Sequence, residues 1–214
     1  MVFADRREAG RQLAAKLGQM NFEHTVVLAL PRGGVPVAVE VASALQVPLD
    51  LLFVRKIGLP WQSELAVGAV VDGAHPQMVL NDRVLAMVDV PEAYLTRERD
   101  RELAEIERRR AQYCGDHSPI DVRGRAVILV DDGVATGTTV RAALTALERL
   151  GAARQILAVP VIAPDTAAAF RADGIEVVAL VEPENFRAVG EFYRDFHQLF
   201  DEEVVGLLAK AARS

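Results

Sequence analysis

Short apolar runs alternate with amphipathic stretches along most of the chain. Runs typical of strands cover residues 25–30, 49–54, 65–71, 79–80, 126–130, 155–161 and 175–181. Apolar side chains at three- and four-residue spacing, the period of one helix face, cover residues 5–17, 35–45, 91–113, 140–150 and 165–172. Asp201 can cap a final helix. Strands that alternate with helices predict a doubly wound α/β fold with a mainly parallel sheet.

The most informative stretch is residues 126–139, which read AVILVDDGVATGTT. An apolar run ends there in two adjacent acids, Asp131 and Asp132, hereafter the acid pair. Open α/β sheets bind ligands at the carboxyl ends of their strands. Two carboxylates at such an end can accept hydrogen bonds from vicinal hydroxyls or help to hold a hydrated Mg²⁺.

The loop after these acids offers a complementary site. Residues 135–139, hereafter the phosphate loop, lead into a helix N-terminus, whose free N–H groups and positive dipole end suit a phosphate monoester. Thr136, Thr138 and Thr139 add hydroxyl donors, and Gly137 lets the backbone approach closely. An acidic turn before a threonine cap would need no ligand, but the complete ordered string favours a ribose 5-phosphate site.

Two further loops place cations after predicted strands. Arg32, Gly33 and Gly34 combine exposed amides with a guanidinium suited to phosphate; a plain strand–helix turn with a surface arginine is the alternative. Arg55 and Lys56, hereafter the cationic pair, precede a stretch predicted to be flexible, so they are placed to close over an anion. The alternative is a hairpin whose two charges face solvent.

The string ILVDDGVATGTT resembles the 5-phosphoribosyl-1-pyrophosphate (PRPP) motif of type I phosphoribosyltransferases. Residues 32–34, hereafter the pyrophosphate loop, resemble the pyrophosphate-binding loop of the same family, and residues 55–60 resemble the entry to the flexible catalytic loop of its adenine-type members. The resemblance covers residues 25–181. It implies the type I phosphoribosyltransferase fold, and a reaction in which a nitrogen nucleophile displaces pyrophosphate from C1 of PRPP with Mg²⁺ as cofactor.

The resemblance also implies a role for each loop. The acid pair would hold the ribose hydroxyls and, through water or those hydroxyls, the metal. The phosphate loop, Ala135 to Thr139, would bind the 5-phosphate, and Arg32 to Gly34 would bind the pyrophosphate, often after a cis peptide at the position of Pro31–Arg32. The catalytic residues would be the acid pair and the cationic pair, which closes from the side.

Two units are expected: a phosphoribosyltransferase core at residues 1–181, with its N-terminal helix and flexible loop, and a small C-terminal hood at residues 182–214. Aromatic side chains concentrate in the hood, at Phe186, Phe192, Tyr193, Phe196 and Phe200. They can stack on a flat base. Equally, they can form a small aromatic core that holds the tail down.

One departure from the family pattern narrows the choice of acceptor substrate. Hypoxanthine-type members carry an aspartate just before the Thr-Gly of the motif, where this chain has Ala135. A methyl group can neither take nor give a proton, which favours an adenine-like base over a 6-oxopurine. A regulatory protein of the same fold that binds PRPP or a nucleotide without turnover remains an alternative. A phosphatase or kinase would need a nucleophile or a Walker-type motif, and neither is apparent.

The composition of the chain mainly excludes certain classes of partner and compartment. The net charge of −6 offers no basic footprint for nucleic acid, and no apolar run approaches membrane-spanning length. The single cysteine, Cys114, rules out an internal disulfide and favours a reducing cytoplasm. The expected partners are therefore PRPP and a small-molecule acceptor, in nucleotide metabolism, with a homodimer left open.

Overall fold

The computed structural model describes residues 2–211, apart from the side chains of residues 63 and 64. The strands are β1 Thr25–Ala29, β2 Leu49–Leu51, β3 Val54–Leu59, β4 Gln62–Val71, β5 Gln77–Leu80, β6 Ala126–Val130, β7 Arg154–Val161 and β8 Glu176–Val181. The helices are α1 Arg6–Leu17, α2 Gly34–Leu45, α3 Asp82–Leu85, α4 Glu92–Cys114, α5 Thr138–Arg149, α6 Pro164–Ala172 and α7 Asp201–Ala211. A 3-10 turn at Val189–Phe192 precedes α7.

Five parallel strands form the central sheet, in the order β2–β1–β6–β7–β8. Every side chain of β1 is buried, as expected when helices cover both faces of a parallel sheet. One apolar core lies beneath α1 and α2, and a second beneath α5 and α6. The predicted α/β fold with a mainly parallel sheet is confirmed. Within residues 2–211, no helix combines the length and apolar character needed to cross a bilayer.

The chain leaves this sheet earlier than its hydrophobic pattern predicts. A single strand at 49–54 is wrong, because β2 is short and β3 belongs to a second, antiparallel sheet of order β3–β4–β5. The amide of Phe53 donates to Asp72 Oδ1 at 2.7 Å, at the junction between the two sheets. The stretch after the cationic pair forms the β3–β4 hairpin, and its flexibility stays a prediction.

A largely buried ion cluster supports this junction. Arg110 of α4 donates through Nη1 to Asp50 at 3.1 Å and through Nε to Asp72 at 2.7 Å, while Nη2 donates to the Leu51 carbonyl at 2.6 Å. Asp50 also accepts from the Ile120 amide at 2.9 Å. Asp50, Asp72 and Arg110, hereafter the Arg110 cluster, therefore tie α4 to the end of the parallel sheet.

The aromatic side chains after β8 pack against the N-terminus and each other. The Phe3 and Tyr193 ring centroids are 5.4 Å apart, and those of Tyr193 and Phe196 are 5.0 Å apart. Phe186 stacks on Phe192 at 5.9 Å. These contacts agree with the small aromatic core rather than with a free stacking platform. The division of the chain at residue 181 stays a prediction.

The last helix begins near the predicted position but is capped differently. Asp201 is its first helical residue, and its carboxylate accepts from the Tyr113 hydroxyl and lies 3.3 Å from Arg32 Nη1. Glu203 accepts the Phe200 amide at 2.8 Å. The expected capping by Asp201 is therefore wrong, because its side chain is drawn to partners on other elements.

Candidate active site

The acid pair lies where β6 ends, directly against the loop that follows β1. A Cβ atom on Gly33 would come within 2.3 Å of Asp132 Oδ2, and one on Gly34 within 2.6 Å of the Val130 carbonyl oxygen. Contacts this short exclude a side chain at both positions. The two glycines therefore do more than expose amides, since they allow the pyrophosphate loop to pack on the strand end that carries the acids.

An open cleft of about 400 Å³ lies at this junction. The acid pair forms one wall, Arg32 and Gly33 a second, and residues 196–199 of the C-terminal segment a third, with Arg6 beside them. The structure thus brings together the acid pair and the pyrophosphate loop, which are about a hundred residues apart along the chain. The phosphate loop follows the acid pair directly in sequence.

The protein binds one oxygen of each carboxylate in the acid pair. Asp131 Oδ1 accepts from the Asp132 amide at 2.8 Å, and Asp132 Oδ2 accepts from Arg6 Nε at 2.7 Å. Among the described residues, no hydrogen-bond donor reaches the other oxygen of either group. Each acid therefore has one carboxylate oxygen available to a ligand.

The surroundings of both acids disfavour their ionised forms. Removal from bulk water raises the pKa of Asp131 well above its ordinary value, and the neighbouring charge of Asp132 adds to the rise. Burial also raises the pKa of Asp132, against the opposing effect of the Arg6 guanidinium. Hydroxyl donors or a cation would therefore stabilise the ionised pair.

The phosphate loop leads into the start of α5. Thr138 is the first helical residue, and Gly137 before it has φ of +72°, in the left-handed region that favours glycine. In the part of the chain that the structure describes, no acceptor takes the amides of residues 135–139. The hydroxyls of Thr136 and Thr138 lie 3.4 Å apart at the surface. Anion binding by this loop stays a prediction.

The pyrophosphate loop has the cis peptide that the family resemblance implies, between Pro31 and Arg32. The amide of Gly34 donates to the Leu30 carbonyl at 3.0 Å, so it is not available to a ligand. The Arg32 guanidinium lies 3.3 Å from Asp201, with about a third of each side chain exposed. Such partly exposed ion pairs are weak, so Arg32 can exchange this partner for a ligand.

The cationic pair is not part of the cleft lining. Arg55 and Lys56 lie on β3, and Arg55 Nε donates to Glu102 Oε2 of α4 at 2.7 Å. Neither residue is among the described side chains that line the cleft. Their catalytic roles stay predictions, and they require the β3–β4 hairpin to bend toward the acid pair.

The structure places three residues beside the acid pair that sequence patterns do not connect to it, although Tyr193 and Phe196 belong to the aromatic group of the predicted hood. Arg6, at the start of α1, is buried and pairs with Asp132. The Tyr193 hydroxyl donates to the Asp132 carbonyl at 2.5 Å, and the Phe196 ring lies 3.9 Å from Arg6 Cζ. For Arg6, the available signal was its position as an arginine in the first turn of a helix, where acids are favoured.

The acid pair fits Mg²⁺ only with help from other ligands. The described residues contain no group of three or more His, Cys, Asp or Glu that could hold a metal. Mg²⁺ commonly keeps several waters and binds one or two carboxylates together with substrate phosphates. The two available carboxylate oxygens match that pattern, while a role for Mg²⁺ stays a prediction.

Comparison with known proteins identifies the family of the domain. The model of the phosphoribosyl transferase domain matches residues 5–197. The chain is 45% identical over 212 residues to Rv0571c of Mycobacterium tuberculosis, which is provisionally named as a phosphoribosyl transferase. The match covers 99% of this chain and 47% of Rv0571c, so the chain spans about half the length of that relative.

Solved structures show the same fold. TT1426 from Thermus thermophilus has a TM-score of 0.86 and 43% identity, covering 98% of this chain and 99% of its own. A hypothetical protein from Neisseria gonorrhoeae, solved with bound ppGpp, has a TM-score of 0.52 and 16% identity, covering 99% and 97%. The second similarity concerns the fold alone.

Proposed function

Since the chain belongs to the phosphoribosyl transferase family, we propose that it transfers the 5-phosphoribosyl group of PRPP to a nitrogen acceptor and releases pyrophosphate. The observation that carries this proposal is the acid pair, with two available carboxylate oxygens at a cleft shared with the pyrophosphate loop. The unbonded amides of the phosphate loop follow directly along the chain.

In this reaction the acceptor nitrogen forms a bond to C1 of the ribose while the bond from C1 to the pyrophosphate oxygen breaks. The bonding electrons leave with pyrophosphate, and the acceptor gives up a proton to water. The available oxygens of Asp131 and Asp132 would accept hydrogen bonds from the ribose hydroxyls. Their negative charge would also stabilise the oxocarbenium character of the ribose in the transition state.

The two anionic ends of PRPP would meet different loops. The amides and hydroxyls of residues 135–139 would hold the 5-phosphate at the start of α5. Arg32 and the Gly33 amide would face the leaving pyrophosphate, whereas the Gly34 amide is already bonded. Mg²⁺, bound beside the acid pair with water and phosphate oxygens as its other ligands, would neutralise charge on the leaving group.

The cationic pair would act at a later stage of binding. Arg55 would have to release Glu102, whose side chain it meets at 2.7 Å, and the hairpin would then bring Arg55 and Lys56 over the pyrophosphate. That movement would also shield the reacting atoms from water.

The acceptor we propose is a small, nucleobase-like molecule of the adenine type. Ala135 supplies no group that could exchange a proton with a 6-oxopurine, so hypoxanthine and guanine should be poor substrates. This reaction would place the protein in nucleotide metabolism in the cytoplasm.

The proposal is tested by incubating the protein with PRPP, Mg²⁺ and a panel of bases and amines while pyrophosphate is measured. Release with adenine or a related acceptor, absent in the Asp131→Asn, Asp132→Asn double variant, is the expected result. Brisk conversion of hypoxanthine would contradict the acceptor assignment alone. Calorimetric binding of PRPP without release by any acceptor would favour the regulatory alternative.

A further inference from the structure

We propose that Arg6 is a positioning residue, which fixes the Asp132 carboxylate and the cleft wall at residues 196–199 in one arrangement. The inference rests on the proposed function, because it concerns the same site. It does not follow from the family motif, since Arg6 lies more than a hundred residues before the acid pair.

The guanidinium of Arg6 makes contacts in three directions. Nε donates to Asp132 Oδ2 at 2.7 Å, Nη1 donates to the His197 carbonyl at 3.0 Å, and Cζ lies 3.9 Å from the Phe196 ring centroid. A planar guanidinium can donate in its plane and stack at the same time, which an ammonium cannot do. The contacts therefore connect the end of β6 to the C-terminal segment through one side chain.

The backbone around Arg6 is itself fixed to that segment. Phe3 donates its amide to the Phe192 carbonyl at 2.8 Å, and its carbonyl accepts the Arg194 amide at 2.8 Å. The Asp195 amide donates to the Ala4 carbonyl at 2.9 Å. These bonds hold the residues before α1 beside the cleft wall, so that the buried Arg6 side chain has a defined starting point.

This arrangement assigns the two oxygens of Asp132 to different tasks. Arg6 engages Oδ2, which leaves Oδ1 for a ligand. Without Arg6, the carboxylate could rotate about its side-chain bonds, and the Phe196–His197 wall would lose a contact on its inner side. The ring face of Phe196 that Arg6 covers is also unavailable for stacking on an acceptor base.

The test compares Arg6→Ala with the matched control Arg7→Ala. Arg7 is the next residue of α1, is largely exposed and pairs with Glu40 instead. With PRPP, Mg²⁺ and the best acceptor, kcat/KM should fall about 10- to 100-fold in Arg6→Ala, the range for a lost hydrogen bond to a charged group. It should remain at the wild-type value in Arg7→Ala.

Chemical rescue separates positioning from general structural support. Millimolar guanidinium, far below denaturing concentrations, should enter the space left in Arg6→Ala and recover at least a third of the lost activity, while urea should not. Activity in Arg6→Ala that equals wild type, or a loss that guanidinium does not recover, overturns the inference. Arg6→Met keeps most of the side-chain volume and leaves no space for guanidinium, so if Arg6→Ala does not fold it serves for the activity loss and for the hydrogen-exchange measurement below.

A second readout needs no substrate. In Arg6→Ala or Arg6→Met, hydrogen exchange at the amides of Arg194, Asp195 and His197 should be at least tenfold faster than in wild type and Arg7→Ala. Unchanged exchange overturns the inference even if activity falls. If wild type releases no pyrophosphate from PRPP, the proposed function fails, while the exchange measurement still decides the role of Arg6.

Discussion

Two pairs of aspartates in the described part of the chain each lie beside one arginine, and the pairs differ in how many of their carboxylate oxygens accept a hydrogen bond. In the Arg110 cluster, Asp50 and Asp72 accept hydrogen bonds from Arg110 and also from backbone amides, so that both oxygens of each carboxylate have donors. In the acid pair, Arg6 and one backbone amide engage only half of the carboxylate oxygens.

The difference separates a structural ion cluster from a candidate binding site. Buried charges are stable only when their hydrogen-bonding capacity is met. In the Arg110 cluster, donors within the protein bond every carboxylate oxygen, and the cluster lies where the chain passes between two sheets. The acid pair has two carboxylate oxygens without a hydrogen-bond donor beside an open cleft. A bound ligand could supply the donors that the protein does not.

The strongest way to test this contrast is to neutralise the acid pair. Asp131→Asn with Asp132→Asn should weaken PRPP binding by about 3–6 kcal/mol, since a hydrogen bond to a charged group contributes about 1.5–3 kcal/mol. The free energy of unfolding should fall by less than about 2 kcal/mol, because the new amide at position 132 keeps an oxygen for Arg6. Calorimetry with PRPP and urea unfolding measure the two quantities. Wild-type affinity in the double variant would show that the acids do not contact the ribose.

The Arg110 cluster should behave in the opposite way. Arg110→Ala leaves the buried Asp72 and the largely buried Asp50 without their cation, and breaking a buried ion pair typically costs about 3–5 kcal/mol. Arg109→Ala is the matched control, because the neighbouring Arg109 pairs with Glu105 on a more exposed face of α4. PRPP affinity, measured at a temperature where the variant is folded, should stay at the wild-type value. A stable Arg110→Ala variant with poor PRPP binding would reverse the roles assigned to the two sets.

A pH titration of stability sharpens the description of the Arg110 cluster. Burial raises the pKa of Asp72 to about 6 from 3.8, although Arg110 opposes the rise. Asp72 therefore binds its proton more tightly in the folded protein, and its contribution to stability is lost as pH rises from about 4 to about 6. At about 1.4 kcal/mol per pKa unit, the loss is about 3 kcal/mol.

The measurement is urea unfolding at intervals between about pH 4 and pH 7, in wild type and Asp72→Asn. The wild-type free energy of unfolding, taken relative to Asp72→Asn, should fall across this range. The exposed Asp89→Asn should follow wild type at every pH. Parallel curves for wild type and Asp72→Asn would mean that Arg110 keeps Asp72 ionised throughout.

Local patterns were sufficient to predict the parallel sheet and the position of the acid pair. The strand at β6 is continuously apolar, and the acids, the small loop and the amphipathic helix follow it without interruption. Each of these signals lies within a few residues of the next. The prediction of α4 was correct for a similar reason, because its narrow apolar stripe repeats at helical spacing. Leu95, Ile106 and Tyr113 of that stripe are buried.

The errors arose where distant contacts decide the structure. The strand predicted at 49–54 is apolar apart from Asp50, but Asp72 and Arg110 divert the chain after β2. The arginine partner of Asp132 comes from the first helix, more than a hundred residues earlier in the chain. Hydrophobic periodicity cannot report pairings between residues this far apart in sequence.

A further arginine–carboxylate contact at the cleft, Arg32 with Asp201, should produce the smallest effect. The two groups are 3.3 Å apart with about a third of each side chain exposed, and such pairs contribute about 0–1 kcal/mol. Asp201→Asn should therefore lower the free energy of unfolding by less than about 1 kcal/mol. Because Asp201 would compete with pyrophosphate for Arg32, the same change should tighten binding of magnesium pyrophosphate, by up to about fivefold on that scale.

Calorimetric titration of magnesium pyrophosphate measures this effect, with Glu202→Gln as the control for losing one negative charge from the first turn of α7. Equal tightening in both variants would indicate a general charge effect rather than competition for Arg32. Weaker binding in Asp201→Asn alone would mean that Asp201 holds Arg32 in place for the ligand. In that case the Arg32–Asp201 ion pair would orient a binding group, as the Arg6–Asp132 pair does. The contrast between carboxylates with and without an oxygen left for a ligand would then extend to the wall of the cleft.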